Sequence, residues 1–224
     1  MGGYAHNFIP NGSLQLWDAG PVPRDMDVQV TNTVLTRLER RQLMEPSQYD
    51  FIQRQNWAEI RGRDDKFTYS GDNSLRVTIA AAGAVDDFRI HPEGVIAALT
   101  GATTRHVPVD NLLHNFAFTF AARCSVDGNL IRVRLVVRTN ADVVAGYFDQ
   151  ANGVWQAAAT SNDFGMITRW RRYGVVTSIP TPLIVGANVV ENMVWQISNG
   201  SAGAQIIDLD DFQINDLENS SAHL

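Results

Sequence analysis

The sequence is poor in the residues that build disulfides, cysteine-based metal clusters and nucleic-acid-binding surfaces. Cys124 is the only cysteine among 224 residues, which excludes an internal disulfide and a zinc cluster made of cysteines. Lys66 is the only lysine, and the formal net charge is −6. Because phosphate binding draws on a basic surface, this charge balance argues against a general nucleic-acid-binding protein.

Membrane segments, signal peptides and catalytic motifs are also missing from the sequence. No run approaches the roughly eighteen apolar residues of a membrane helix, and the first residues lack the charged and apolar regions of a signal peptide. The five histidines are scattered without metal-ligand spacing, and there is no nucleophile elbow, phosphate loop or dinucleotide fingerprint. We therefore expect a protein that is not an enzyme, uses no cofactor and does not bind a membrane.

Short alternating segments make up most of the chain. "NSLRVTIAA" (73–81), "NFAFTFAARCSV" (115–126) and "NLIRVRLVVRTN" (129–140) place an apolar residue at every second position, which is the period of a half-buried strand. In the third segment this pattern turns Arg132, Arg134 and Arg138 outward. Similar segments follow at short intervals, separated by Gly, Asn, Asp and Pro, and this arrangement predicts an all-β sandwich or barrel.

Residues 21–66 break the strand pattern. This segment holds eight acidic and eight basic residues between Arg24 and Lys66, with a weak helical spacing at Val34, Leu35 and Leu38. We interpret 21–66 as an inserted charged arm, 1–20 together with 67–215 as the sandwich, and 216–224 as a flexible tail. A solvated decoration and an assembly contact are both open for the arm. For a contact, the expected anchors are Arg37, Arg40, Arg41, Phe51, Arg54 and Trp57.

Four phrases occur in a fixed order along the chain: "NFIPNGSLQLW" (7–17), "SGDNSLRVTI" (70–79), "TRWRRYGVVTSIP" (168–180) and "AQIIDLDDFQI" (204–214). Together they resemble the carbohydrate-binding-module jelly rolls of the family 4/9 type, a kind of domain also found in tailed-bacteriophage virion proteins. The resemblance implies a jelly-roll β-sandwich, here interrupted by the charged arm. It implies a ligand only weakly, since one fold hosts many functions.

The resemblance also implies a structural calcium ion where the first and last strands meet, with Asp210 and the turn at Asn11 as ligands. Calcium takes about six to eight oxygen ligands, so an aspartate that is solvated or caps the backbone is the alternative. Exposed aromatic rings suit sugar stacking, and the candidates are Tyr69, Tyr147 and Trp155, with core packing as the competing interpretation for each. We expect Trp170 to be mostly buried and Cys124 to be a buried, inert thiol.

Three classes of function compete. A disulfide-free sandwich with an elaborate arm and no signal peptide favours a structural protein of a tailed-bacteriophage virion, namely a capsid decoration (cement) protein or a head or tail fibre component. Such a protein would bind the major capsid protein or other virion proteins as a homo-oligomer, with a trimer matching capsid three-fold positions, and would be released by lysis. The alternative is a carbohydrate-binding adhesin that recognises host surface glycans. An enzyme is the third class.

Overall fold

The computed structural model describes residues 26–31, 33–39, 73–92, 107–108, 115–139, 141, 143–178, 184–190 and 192–216. These residues form fifteen strands and contain no helix. The strands are β1 (Met26–Val30), β2 (Thr33–Glu39), β3 (Asn73–Ile79), β4 (Phe88–Pro92), β5 (Val107–Pro108), β6 (Asn115–Cys124), β7 (Leu130–Arg138), β8 (Val144–Asp149), β9 (Val154–Gln156), β10 (Asn162–Gly165), β11 (Arg171–Ser178), β12 (Ile184–Val185), β13 (Asn188–Val189), β14 (Asn192–Asn199) and β15 (Gln205–Asp216).

Two antiparallel sheets form a sandwich. The eight-stranded sheet has the order β1-β4-β14-β7-β8-β9, with β10 also paired to β7 and β5 also paired to β14. The five-stranded sheet has the order β11-β6-β15-β3-β2. The chain crosses repeatedly between the sheets, for example from β3 to β4, from β6 to β7 and from β14 to β15. The predicted all-β jelly-roll sandwich is thus confirmed.

The core lies between the two sheets and consists of the inward residues of the alternating segments. In β6, Phe116, Phe118 and Phe120 are all fully buried, as their spacing predicts. Phe118 stacks on Trp195 of β14 with ring centroids 4.4 Å apart, so this pair joins the two sheets at the centre of the core. Cys124, at the end of β6, is also buried, and its Sγ lies 2.9 Å from the carbonyl oxygen of Val126. Burial raises the pKa of this thiol, which agrees with the expected inert role.

The first two strands lie inside the segment that we interpreted as an inserted arm. β1 pairs with β4 at the edge of the eight-stranded sheet, and β2 pairs with β3 at the edge of the five-stranded sheet. The helical interpretation of Val34, Leu35 and Leu38 is wrong, because residues 33–39 form a strand along β3 in which Leu35 lies opposite Val77. The remainder of the arm lies outside the described residues.

Candidate functional site

The outer face of the eight-stranded sheet combines polar and apolar side chains along its two central strands, and several of them are buried. Because side chains alternate across a strand, the odd-numbered residues of β7 and β14 fill the core and the even-numbered ones point away from it. Gln196 pairs with Arg134 and Val194 with Val136, so these four outward residues are neighbours. The prediction that Arg132, Arg134 and Arg138 face outward agrees with their partial exposure between buried neighbours.

One end of this face is held together by a network of arginines and aspartates. Asp86, in the loop before β4, accepts hydrogen bonds from the Ser198 hydroxyl at 2.6 Å and from Arg134 Nη2 at 2.9 Å. Arg132 forms a bidentate pair with Asp163 of β10, with both N–O distances 2.9 Å, and its Nη1 lies 3.8 Å from Asp86 Oδ2. The network therefore ties the 80–87 loop and β10 to the two central strands.

The electrostatic state of these carboxylates follows from their partners. Burial alone would raise the pKa of Asp86, but the hydrogen bonds from Ser198 and Arg134 and the charge of Arg132 bring it below its usual value. The hydrogen bonds from Arg132 likewise lower the pKa of Asp163 below its usual value. Both groups are thus fixed as anions at neutral pH.

The other end of the face is a row of side chains that crosses four strands. Backbone pairing places Gln156 of β9 next to Tyr147 of β8, Tyr147 next to Val136 of β7, and Val136 next to Val194 of β14. Directly opposed side chains in an antiparallel sheet lie about 4.5–5.5 Å apart, so each contacts the next. The two valines are only 6% exposed, whereas Tyr147 and Gln156 are partly exposed. The row thus combines an apolar floor with an aromatic ring and an amide.

Gln196 lies diagonally beside this row and carries an unsatisfied donor. Its Nε2 atom is buried and has no hydrogen-bond partner among the described residues. A buried donor without an acceptor costs about 1–3 kcal/mol, so native proteins rarely keep one without a reason. We define the outer patch as Tyr147, Gln156, Val136, Val194 and Gln196.

The aromatic candidates from the sequence divide between the two sides of the sheet. Tyr147 lies on the outer patch. Trp155 packs on the inner side against Phe148, with ring centroids 5.2 Å apart, and its Nε1 donates a 2.8 Å hydrogen bond to the Ser178 carbonyl. This geometry corresponds to the packing alternative for Trp155. Tyr69 lies outside the described residues.

The predicted calcium ligands are not both within the described residues. Asp210 of β15 is fully buried, and its Oδ1 accepts a 2.7 Å hydrogen bond from the backbone N–H of Asp211. Asn11 lies outside the described part of the chain. Among the residues the structure describes, no three His, Cys, Asp or Glu side chains cluster as metal ligands would, and one carboxylate is too few for calcium. The calcium site stays a prediction.

The predicted arm anchors and Trp170 can be placed only in part. Arg37 lies in β2 opposite Leu75 and is partly buried, whereas Arg40, Arg41, Phe51, Arg54 and Trp57 lie outside the described residues. Most of Trp170 is buried, as expected: it lies just before β11, and the guanidinium of Arg123 is 5.1 Å from its ring centre. Within the described ranges, the structure has no helix that could cross a membrane.

Sequence reasoning did not find Gln196 or Gln156. The alternation of "NMVWQIS" does place Gln196 on the face opposite to Met193, Trp195 and Ile197. Its proximity to the Tyr147 row depends on the pairing of β14 with β7, however, and that pairing joins residues about sixty positions apart.

Comparisons with known proteins give distant structural likenesses. No family model and no curated protein sequence matches the chain. An arabinose-bound GH51 α-L-arabinofuranosidase is similar over 96% of this chain and 27% of its own, with 14% identity and a TM-score of 0.49. The enzymatically active domain of tailspike protein 4 of bacteriophage CBA120 is similar over 93% of this chain and 21% of its own (10% identity, TM-score 0.47).

A smaller protein is also similar. The family 11 carbohydrate-binding module of Clostridium thermocellum, solved with a β-1,3-1,4-mixed-linked tetrasaccharide, is similar over 89% of this chain and 94% of its own, with 6% identity and a TM-score of 0.44. The chain thus spans about a quarter of the arabinofuranosidase and tailspike chains but nearly all of this module. At these identities and TM-scores the likenesses assign no ligand and no activity to this chain.

Proposed function

We propose that this protein is a non-catalytic carbohydrate-binding domain that holds a glycan on the outer patch, which we therefore call the sugar face. The observation that carries the proposal is the buried amide donor of Gln196, which has no acceptor among the described residues and lies beside the row of Tyr147 and Val136. A ligand held against the partly exposed Tyr147 and Gln156 presents a hydroxyl to this amide, accepts its hydrogen bond and removes the cost of leaving the donor unpaired.

The composition of the face suits a sugar. Ligand sites combine apolar and aromatic contact area with a few placed polar groups, and a sugar ring presents C–H groups on one side and hydroxyls around its edge. Tyr147 supplies the flat apolar surface, and its hydroxyl is a donor and acceptor. The amides of Gln156 and Gln196 donate and accept on either side of the ring.

The ionised carboxylates of the same face support binding without turnover. A glycosidase of the usual kind needs one carboxyl group with a raised pKa as the general acid and a second one at a defined separation. The pKa values of Asp86 and Asp163 are lowered, and both carboxylates are engaged by arginines. Neither group therefore serves as a proton donor at neutral pH.

A glycan array followed by titration of the captured glycans tests the proposal. Gln196→Met removes the amide at similar volume, and we expect it to weaken binding by roughly tenfold or more. The same change should leave the free energy of unfolding equal or raised, because an unpaired buried donor is removed. Tyr147→Ala should also weaken binding, and Gln150→Met, in the exposed turn after β8, is the matched control. An array without any captured glycan, or variants that bind as tightly as the wild type, would contradict the proposal.

A role in a phage virion is a second proposal, which rests on the charged arm of the sequence. A glycan-binding sandwich attached to a particle is compatible with recognition of host surface glycans, so the two proposals do not compete. The deletion that tests the arm is 40–66, because 26–39 contains the sheet strands β1 and β2. If the shortened protein folds and still occupies its particle at full copy number, the arm is not the assembly element.

A further inference from the structure

The outer face of the five-stranded sheet carries a charged row that the sugar face does not involve. Backbone pairing aligns Arg76 of β3, Asp208 of β15 and Arg123 of β6 side by side. Arg76 binds Asp208 with Nε at 2.7 Å and Nη2 at 2.9 Å, and Arg123 Nε donates to the same carboxylate at 2.8 Å. Asp208 is only 3% exposed, so both guanidinium groups are anchored on a buried anion.

A cavity of about 280 Å³ opens beside this row. It is lined by Arg76, Arg123, Cys124, Ser125, Thr168, Ile206 and Asp208. Sites for drug-sized ligands start at about 300 Å³, so this cavity has room for a molecule of about one sugar ring.

The cavity presents the donors of two guanidinium groups, and Asp208 is the carboxylate among its lining residues. Within the described part of the chain, Arg76 hydrogen-bonds only to Asp208, so its Nη1 donors remain available, and its side chain is 30% exposed. The nearby carboxylate of Asp127 is not a lining residue and accepts the backbone N–H of Thr168 at 2.5 Å.

The remaining lining groups favour a ligand with hydroxyls. The Ser125 oxygen accepts the backbone N–H of Ile206 at 3.1 Å, which leaves its own O–H as a donor. The Trp170 ring lies against the guanidinium of Arg123 and holds it in place. A guanidinium group can bind a carboxylate through two parallel N–H···O hydrogen bonds, and Asp208 already holds the Arg76 guanidinium in a fixed orientation.

We propose that this cavity is a second binding site, which takes a small hydroxylated carboxylate through Arg76. An acidic sugar residue and a simple hydroxy acid share this chemistry. The site lies on the opposite sheet from the sugar face, so it stands whether or not that face binds a glycan.

Calorimetric titration of the full chain with D-galacturonate, D-galactose and lactate tests the proposal. We expect galacturonate to bind and galactose, which has the same ring without the carboxylate, not to bind. Lactate binding as tightly as galacturonate would identify a simple hydroxy acid as the ligand class, and weaker lactate binding would identify an acidic sugar. Absence of galacturonate and lactate binding, or galacturonate binding that is unchanged by Arg76→Gln, would overturn the proposal.

Two arginine variants show whether galacturonate binds in this cavity. Arg76→Gln should weaken galacturonate binding by roughly tenfold or more, because a charge-assisted hydrogen bond is lost. Arg132→Gln is the matched control, since it removes a similar bidentate Arg–Asp pair on the other sheet and should bind as the wild type does. If Arg76→Gln fails to fold, Arg76→Lys keeps the charge without the fork and should show an intermediate loss. The indole N–H resonance of Trp170 should shift on binding, and equal losses in the Arg76 and Arg132 variants would refute the site.

Discussion

Trp195 lies at the centre of the core, and its indole N–H, which has no acceptor among the described residues, predicts an unusual response to substitution. The side chain is 1% exposed and stacks on Phe118 across the two sheets. Its Nε1 atom is buried and has no hydrogen-bond partner in the part of the chain that the structure describes. We therefore expect Trp195→Phe to cost far less stability than a buried tryptophan usually does.

The magnitude follows from two opposing contributions. Phenylalanine is smaller than tryptophan by three heavy atoms, and the lost burial together with the residual cavity costs about 1–3 kcal/mol. Removal of the N–H that lacks an acceptor among the described residues raises the free energy of unfolding by about 1–3 kcal/mol. The free energy of unfolding of Trp195→Phe should therefore lie within about 1 kcal/mol of the wild type, whereas Trp195→Ala should lose about 3–5 kcal/mol.

Urea denaturation followed by circular dichroism measures both variants, and an unchanged m-value shows that the two states are comparable. Trp155→Phe is the control, because the Trp155 indole N–H donates a hydrogen bond to the Ser178 carbonyl and this substitution removes a bond that is made. If Trp195→Phe loses as much as Trp195→Ala, the indole has an acceptor and the reasoning is refuted.

Two further predictions concern packing and pH. A Cβ at Gly146 would lie 2.4 Å from Val185 Cγ1, so Gly146→Ala should lower the free energy of unfolding by about 1–3 kcal/mol. A Cβ at Gly165 has no atom within 4 Å, so Gly165→Ala should show no such loss in the same urea assay. The folded-state pKa values of Asp86 and Asp163 are lowered, so both ionised carboxylates stabilise the folded state. This contribution is fully present above the ordinary pKa of 3.8, and it is lost as the pH falls from there through the lowered folded-state pKa values. Thermal unfolding between pH 5 and pH 2 should show this loss, and an Asp163→Asn variant with the same slope as the wild type would contradict it.

The faces of the central strands were predictable from the sequence because alternation is a local property. The spacing of Phe116, Phe118 and Phe120 places all three on one side of a strand whatever the neighbouring strand is. The same holds for Arg132 and Arg134, which the alternation turns outward.

The helical interpretation of Val34, Leu35 and Leu38, within 33–39, was wrong because the local pattern has two solutions. Val34, Leu35 and Leu38 fit one side of a helix, yet the same seven residues also form an extended edge strand. Pairing with β3, more than thirty residues further along the chain, decides between them. Tertiary context of this kind overrides weak helical propensity.

The candidate site was predictable only in part, since it depends on register between distant strands. Aromatic character was enough to select Tyr147 and Trp155, but only the pairing of β8 with β7 and β9 shows that one lies outside the sandwich and the other inside. In the sequence, Gln196 is a single amide in an apolar strand, and such a pattern does not indicate a binding residue. Its significance comes from burial without an acceptor among the described residues, which no local pattern contains.

The most direct test of the central claim is a titration of isotope-labelled protein with a glycan captured on the array, followed through the side-chain amide resonances of its glutamines. We predict that the Gln196 amide shifts most, together with Tyr147 and Gln156, because a ligand hydroxyl accepts its buried N–H. The Gln150 amide, in the exposed turn after β8, should stay unchanged. Shifts confined to the five-stranded sheet, or a Gln196 amide that does not respond to a bound glycan, would contradict the account.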